Sequence, residues 1–129
     1  MKTPRWILPK TVELAHEALL AAHGGSAGIR DSGMRDSALS RPQNLLFDGS
    51  PTIFELAAAY AFGIVKNHPF VDGNKRTGFT LAMTFLEING YNFYATEADA
   101  AIQTLAPAAG AIDEAQYAAW LKANTKRRR

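Results

Sequence analysis

Residues 68 to 77 read His-Pro-Phe-Val-Asp-Gly-Asn-Lys-Arg-Thr, which places an imidazole, a carboxylate, a glycine, an amide and two cations within nine residues. Gly73 permits a tight, left-handed turn in which backbone N–H groups converge, and a helix beginning at Asn74 would add its own unpaired N–H groups and the positive end of its dipole. Together these make an anion nest. Lys75 and Arg76 on its first turn are unfavourable for an isolated helix by a few tenths of a kcal/mol up to about 1 kcal/mol, a sign that a bound polyanion reverses. Asp72, a lone carboxylate beside phosphates, suits Mg²⁺, which takes one or two protein carboxylates and completes its shell with water and phosphate oxygens. His68 is a base whose ordinary pKa lies near neutrality, as proton removal from an attacking hydroxyl requires. Phe70 reads as a buried anchor holding these groups in register. Singly, each has an ordinary explanation: a helix-end histidine, an Asp-Gly turn, a solvated Lys-Arg face. Those explanations would all have to coincide in one loop between two apolar helices.

The elements around this loop can be read from periodicity. Leu56, Tyr60, Ile64 and intervening alanines make Phe54 to Asn67 an almost wholly apolar central helix, and Phe79, Met83 and Leu86 mark another from Asn74 to Asn89, ended by Asn89-Gly90. Val12, Ala15, Leu19 and Ala22 predict a helix over Lys10 to Ala22. Gly24 to Arg35 reads as an ordered loop anchored by Ile29 and Met34, followed by a short helix around Asp36 to Arg41 that Pro42 ends. Asn44 to Thr52, with Asp48-Gly49 and Ser50-Pro51, is a candidate flap, either irregular or hairpin-like. Tyr91 to Tyr94 reads as an extended connector. Two last helices, from about Glu97 to Ala106 and Asp113 to Lys122, are divided by Pro107 and Gly110. The fold expected is all-α, a compact bundle of about six helices with a short extended or hairpin-like flap.

At 129 residues, 47% hydrophobic and 20% charged, the chain fits one domain, residues 1–125, that buries roughly two-thirds of its unfolded surface without disulfides. Residues 126–129 form a basic tail. The absence of cysteine removes thiol nucleophiles and cysteine-ligated zinc and suits a reducing compartment. The formal charge is +2, of which Lys126, Arg127, Arg128 and Arg129 contribute +4, so the body carries +2 − 4 = −2. A net-negative body argues against nucleic acid as a direct ligand, and the tail reads as solvated and frayed. With neither a signal-peptide core near Met1 nor ~18 uncharged apolar residues in a row, the expectation is a soluble, cytoplasmic protein without membrane contact.

The ten-residue segment resembles the signature of the Fic/Doc superfamily, and specifically of its death-on-curing toxin branch. The likeness extends to His23-Gly24-Gly25, Gly28-Ile29-Arg30-Asp31, Asp36-Ser37-Ala38-Leu39, Arg41-Pro42 and Phe85-Leu86-Glu87-Ile88-Asn89-Gly90. The resemblance implies a Fic core with His68 as general base, Asp72 as Mg²⁺ ligand, Gly73 and Asn74 forming the anion hole, and Arg76 on nucleotide phosphate. AMP-transferring Fic enzymes place a second glycine where this chain has Lys75 and a second arginine where it has Phe79. The death-on-curing branch carries that lysine, and it is associated with transfer of the terminal phosphate of ATP to a threonine of elongation factor Tu, which halts translation. On that resemblance the chain is expected to be an ATP-dependent protein kinase toxin, with AMP transfer as the alternative. Lys66, two residues before His68, reads either as a further rim cation or as a snorkelling surface lysine. Self-restraining Fic enzymes carry Ser or Thr, three variable residues, Glu, then Gly or Asn. No such string occurs here, so inhibition in trans is expected, from an antitoxin segment folding into a groove walled by the first helix and residues 44–52. Nucleic acid would then be met only through the antitoxin. Two other classes stay open: a non-enzymatic nucleic-acid or regulatory module using the terminal basic run, and a metal-dependent phosphohydrolase, for which one histidine and one carboxylate fall short.

Overall fold

The computed structural model describes residues 3–128; Met1, Lys2 and Arg129 lie outside them. Among the described residues there are six helices: α1 (Pro9–His23), α2 (Ser32–Asp48), α3 (Ile53–Asn67), α4 (Asn74–Ile88), α5 (Glu97–Ala109) and α6 (Glu114–Ala123). Two short strands, β1 (Tyr91–Phe93) and β2 (Thr125–Arg127), complete the order. The all-α expectation holds. No helix in the described residues is long and apolar enough to cross a membrane.

α3 is the axis of the bundle. Thr52 and Glu55 form a reciprocal capping box, with the Glu55 N–H donating to Thr52 Oγ1 at 3.1 Å and the Thr52 N–H to Glu55 Oε1 at 3.0 Å. Every residue from Leu56 to Ile64 is then buried, with α2, α4 and α6 packed around it. Two glycines set the closest approaches. A Cβ on Gly63 would stand 3.2 Å from the Ala38 carbonyl oxygen of α2, and one on Gly78 of α4 would stand 2.9 Å from the Ala61 carbonyl oxygen. This spacing brings the end of α3 and the start of α4 together, and the signature loop joins them.

Four readings change. α2 begins before Asp36, because Asp31 Oδ1 accepts from the Met34 N–H at 3.0 Å and so caps a start at Ser32. It also runs through Pro42 to Asp48, so Asn44 to Asp48 is helical and not a flap. An interior proline costs about 3 kcal/mol of helix propensity, but Pro42 is fully buried and the surrounding packing outweighs that cost. α5 likewise continues through Pro107. The extended piece lies elsewhere, where Tyr91, Asn92 and Phe93 pair antiparallel with Arg127, Lys126 and Thr125. The basic tail therefore does not fray over residues 125–128. Arg128 donates from Nη2 to the Glu87 carbonyl at 2.6 Å and from Nη1 to Asn92 Oδ1 at 3.1 Å, placing a cation at the C-terminal end of α4.

Tyr60, fully buried in α3, accepts a hydrogen bond from the Ile7 N–H at 3.1 Å. Burial pushes its phenol from 10.0 up to about 12, against the smaller opposing effect of that bond. The folded chain thus keeps a proton that the unfolded chain loses first. The stability linked to Tyr60 is complete below pH 10 and drains away as the pH climbs to about 12. This linkage amounts to roughly 3 kcal/mol. Denaturant unfolding measured at steps across that range should show the decline, to which Tyr117, whose phenol burial also pushes up, adds; Tyr60→Phe should make it shallower, and an equally steep decline in that variant would assign the loss to other groups.

Candidate active site

The loop from α3 to α4 starts with an unusual backbone. His68, at the C-cap of α3, sits at φ 50, ψ 53, with its N–H donating to the Ile64 carbonyl at 3.0 Å. It is the one non-glycine with positive φ among the described residues, a conformation that costs energy and persists only where the surroundings impose it. Pro69 is buried next to it, and Phe70 after it is wholly buried. Asn74 then closes a ring across the loop: its Oδ1 accepts from the Phe70 N–H at 3.0 Å, and its Nδ2 donates to the Phe70 carbonyl at 2.9 Å. Gly73 caps α4 at φ 80, ψ 14, the left-handed turn expected of it.

The anion nest is formed by main chain. The Thr77 N–H is satisfied by the Gly73 carbonyl at 3.0 Å, which leaves the N–H groups of Asn74, Lys75 and Arg76 without intrahelical acceptors. The Asn74 side chain is buried and committed to Phe70, so Asn74 can offer an anion its backbone but not its amide. Lys75 and Arg76 are exposed on the same turn.

This turn faces a cleft of about 570 Å³. One wall is α1, through Leu19 and His23; the other runs from His68 through Asp72 and Gly73 to Phe79 and Thr80 of α4. His68, Asp72, Gly73, Asn74, Lys75 and Arg76 all line it. Lys66, exposed on α3, is not among the lining residues. The Asp72 carboxylate is fixed by two backbone donors, with Gly73 N–H at 2.8 Å on Oδ1 and Ser26 N–H at 3.2 Å on Oδ2. A Cβ on Gly25, which sits at φ 119, would come within 2.8 Å of Oδ2, so glycine at this position allows the close approach. Each carboxylate oxygen accepts one of these bonds and has acceptor capacity left. No cluster of three or more His, Asp or Glu side chains fit to hold a metal occurs among the described residues. The donor set therefore fits a cation that arrives with phosphate oxygens and water, as Mg²⁺ does, and not an all-protein cage.

The loop rests on His16. This side chain, buried on α1, stacks on the Phe70 ring with centroids 3.8 Å apart and planes inclined by 10°. Its Nε2 lies 2.7 Å from the Asp72 carbonyl oxygen. A carbonyl only accepts, so Nε2 carries the proton and donates. The sequence reading passed over His16, although it stands four residues after Val12 and shares its inward stripe. A polar side chain on the buried stripe of a helix was the available signal. The second support is the 24–35 loop, whose anchoring differs from expectation: Ile29 and Met34 are exposed, and the main chain does the holding. Arg30 and Asp31 N–H groups both donate to the Pro69 carbonyl, at 2.6 and 3.0 Å, and the Val71 N–H donates to the Gly28 carbonyl at 3.1 Å.

Comparison with known proteins identifies a family. The model of the Fic/DOC family matches residues 6–86, which span α1 to α4 and contain the whole cleft. Among curated proteins, the chain is 45% identical over 71 residues to "Toxin Doc" of Mycolicibacterium smegmatis, a segment covering 54% of this chain and 55% of that protein. It is 31% identical over 91 residues to "Protein kinase doc" of Escherichia phage P1, covering 70% of this chain and 72% of the other. The first match thus spans little more than half of its relative's length. On the family match and the shared signature, the chain belongs to the Fic/DOC family.

Proposed function

We propose that the protein is the toxin of a toxin–antitoxin pair and transfers the terminal phosphate of ATP to a hydroxyl of a protein target. By resemblance, that target is a threonine of elongation factor Tu, and the outcome is arrested translation. One observation carries the choice of phosphate over AMP: the cleft has Lys75 beside Arg76 on the nest, and Phe79 in its wall where AMP-transferring relatives carry a second arginine. Phe79 is packed edge-on to Phe93 at 6.1 Å, so this position presents carbon, not a guanidinium, to a nucleotide. The names borne by the relatives, a toxin and a protein kinase, point the same way.

In this reading the phosphates lie on the N–H groups of Asn74, Lys75 and Arg76, with the Lys75 and Arg76 cations on the oxygens. Asp72 would hold Mg²⁺, which when bound offsets charge on the phosphate oxygens. His68 accepts the proton of the acceptor hydroxyl as its oxygen bonds to the γ-phosphorus. The bond from that phosphorus to the β–γ bridging oxygen breaks, and ADP leaves. Such transfer depends on positioning and charge stabilisation more than on covalent chemistry, and a rigid loop over a helix N-terminus can provide both. An antitoxin acting in trans would cover the cleft from α1. A free nucleic-acid-binding tail fits less well, because Arg128 is engaged with the end of α4 and Lys126 lies 5.9 Å over the Tyr94 ring.

The test is the position of the label. With Mg²⁺ and elongation factor Tu, γ-labelled ATP should label the factor and α-labelled ATP should not. Label arriving only from the α-position would replace kinase chemistry by AMP transfer, and release of free phosphate with no labelled protein would indicate a hydrolase.

A further inference from the structure

The left-handed backbone of His68 needs a cause, and the surroundings provide one in a single residue. Arg30 donates from Nε to the His68 carbonyl at 2.7 Å, and from Nη2 to the Asn67 carbonyl at 2.9 Å. Its own N–H donates to the Pro69 carbonyl at 2.6 Å. Three consecutive carbonyls, 67 to 69, thus accept from one residue. Those of Asn67 and His68 are also carbonyls that the end of α3 leaves without helical partners. Arg30 is itself held in place, since Asn67 Nδ2 donates to the Met34 carbonyl at 2.9 Å and ties the start of α2 to the same corner. Arg30 does not line the cleft.

We propose that Arg30 is a positioning residue for His68: by clamping the carbonyls of residues 67 and 68 it holds the αL turn that presents the imidazole to the cleft. The planar fork matters as well as the charge. Two N–H groups with fixed relative orientation reach two successive carbonyls, whereas a lysine ammonium is a point charge on a flexible stem. Without the fork, residue 68 is free to relax to negative φ, where a non-glycine residue is more stable. That rotation swings the side chain of His68 away from the phosphate nest while leaving the nest itself, built on α4, intact.

The proposal rests on His68 as the base, and its test separates failure of the clamp from failure of that assignment. Arg30→Ala and Arg30→Lys are compared with Asp31→Ala, which removes the α2 cap next door but no donor to residues 67 or 68. Both Arg30 variants should lose kcat for target labelling by at least tenfold with the KM for ATP within about twofold of wild type. Asp31→Ala should lower the melting temperature and leave kcat unchanged. Independently of any turnover, the HN–Hα coupling and Cβ chemical shift of residue 68 should report positive φ in the wild type and lose that signature in Arg30→Ala. If Arg30→Ala does not fold, Arg30→Lys carries both arms. Retention of the positive-φ signature in the Arg30 variants overturns the clamp, even if activity falls. So does unchanged kcat with the signature lost. A wild type without transferase activity refutes the proposed function and leaves the spectroscopic arm to decide the clamp.

Discussion

His68→Ala is expected to slow phosphate transfer by about 10²- to 10⁴-fold, the usual contribution of a positioned general base. The melting temperature should hardly move, because His68 is exposed. A companion variant sharpens the result. His68→Gly removes the same imidazole but also removes the Cβ that makes φ 50 costly, so it should be more stable than wild type by up to about 1 kcal/mol while equally inactive. Rates measured with γ-labelled ATP, alongside thermal unfolding, check both. Labelling by His68→Ala near the wild-type rate would remove His68 as the base. A loss of stability in His68→Gly would show that the side chain, and not the clamped backbone, was holding the turn.

Phe70→Ala should have the largest effect on folding. The ring is wholly buried, stacks on His16 and sits under the loop whose backbone Asn74 encircles. Truncating a buried phenylalanine costs about 3–5 kcal/mol. That is a large share of the roughly 5–15 kcal/mol by which a domain of this kind is folded. The melting temperature should fall by on the order of 10 °C or more. Activity should be lost well below that temperature, since the same change frees the His16 ring that fixes the Asp72 carbonyl. Circular dichroism melts and assays at low temperature separate the two losses. A drop of only a few degrees would mean that backbone bonds to the 28–31 segment, not the ring, carry the loop.

Much of this was legible because the relevant signals are local. α3 and α4 show dense apolar spacing, and the loop between them concentrates residue types that a core has no use for. The expected left-handed glycine, the buried Phe70 and the cleft-lining imidazole, carboxylate and cations rest on neighbours in sequence. The misreadings came from contacts distant along the chain. Pro42 carries a local penalty against helix that tertiary packing overrides, and α5 continues through Pro107 as well. The tail looked solvated by charge alone, but its backbone finds partners in Tyr91 to Phe93, more than thirty residues away. His16 and Arg30 act on the loop across 56 and 38 positions, and no spacing rule reaches that far. The resemblance puts Asn74 at the anion hole, and its backbone N–H stays free for that use; what the sequence did not reveal is that its amide serves the backbone of Phe70, visible only in three dimensions.

The ring that Asn74 closes across residues 70 to 74 bears on how a nucleotide is met. A flexible glycine loop would surrender about 1–2 kcal/mol of conformational entropy for each residue that a ligand immobilises. Here the backbone is already constrained from both sides, by Asn74 within and by the 28–31 segment without. Ordering was completed during folding, so in the proposed reading a phosphate would meet donors that no longer need to be gathered. Binding to such a loop should therefore show little entropic opposition from the protein, and the association step should need no loop closure before contact.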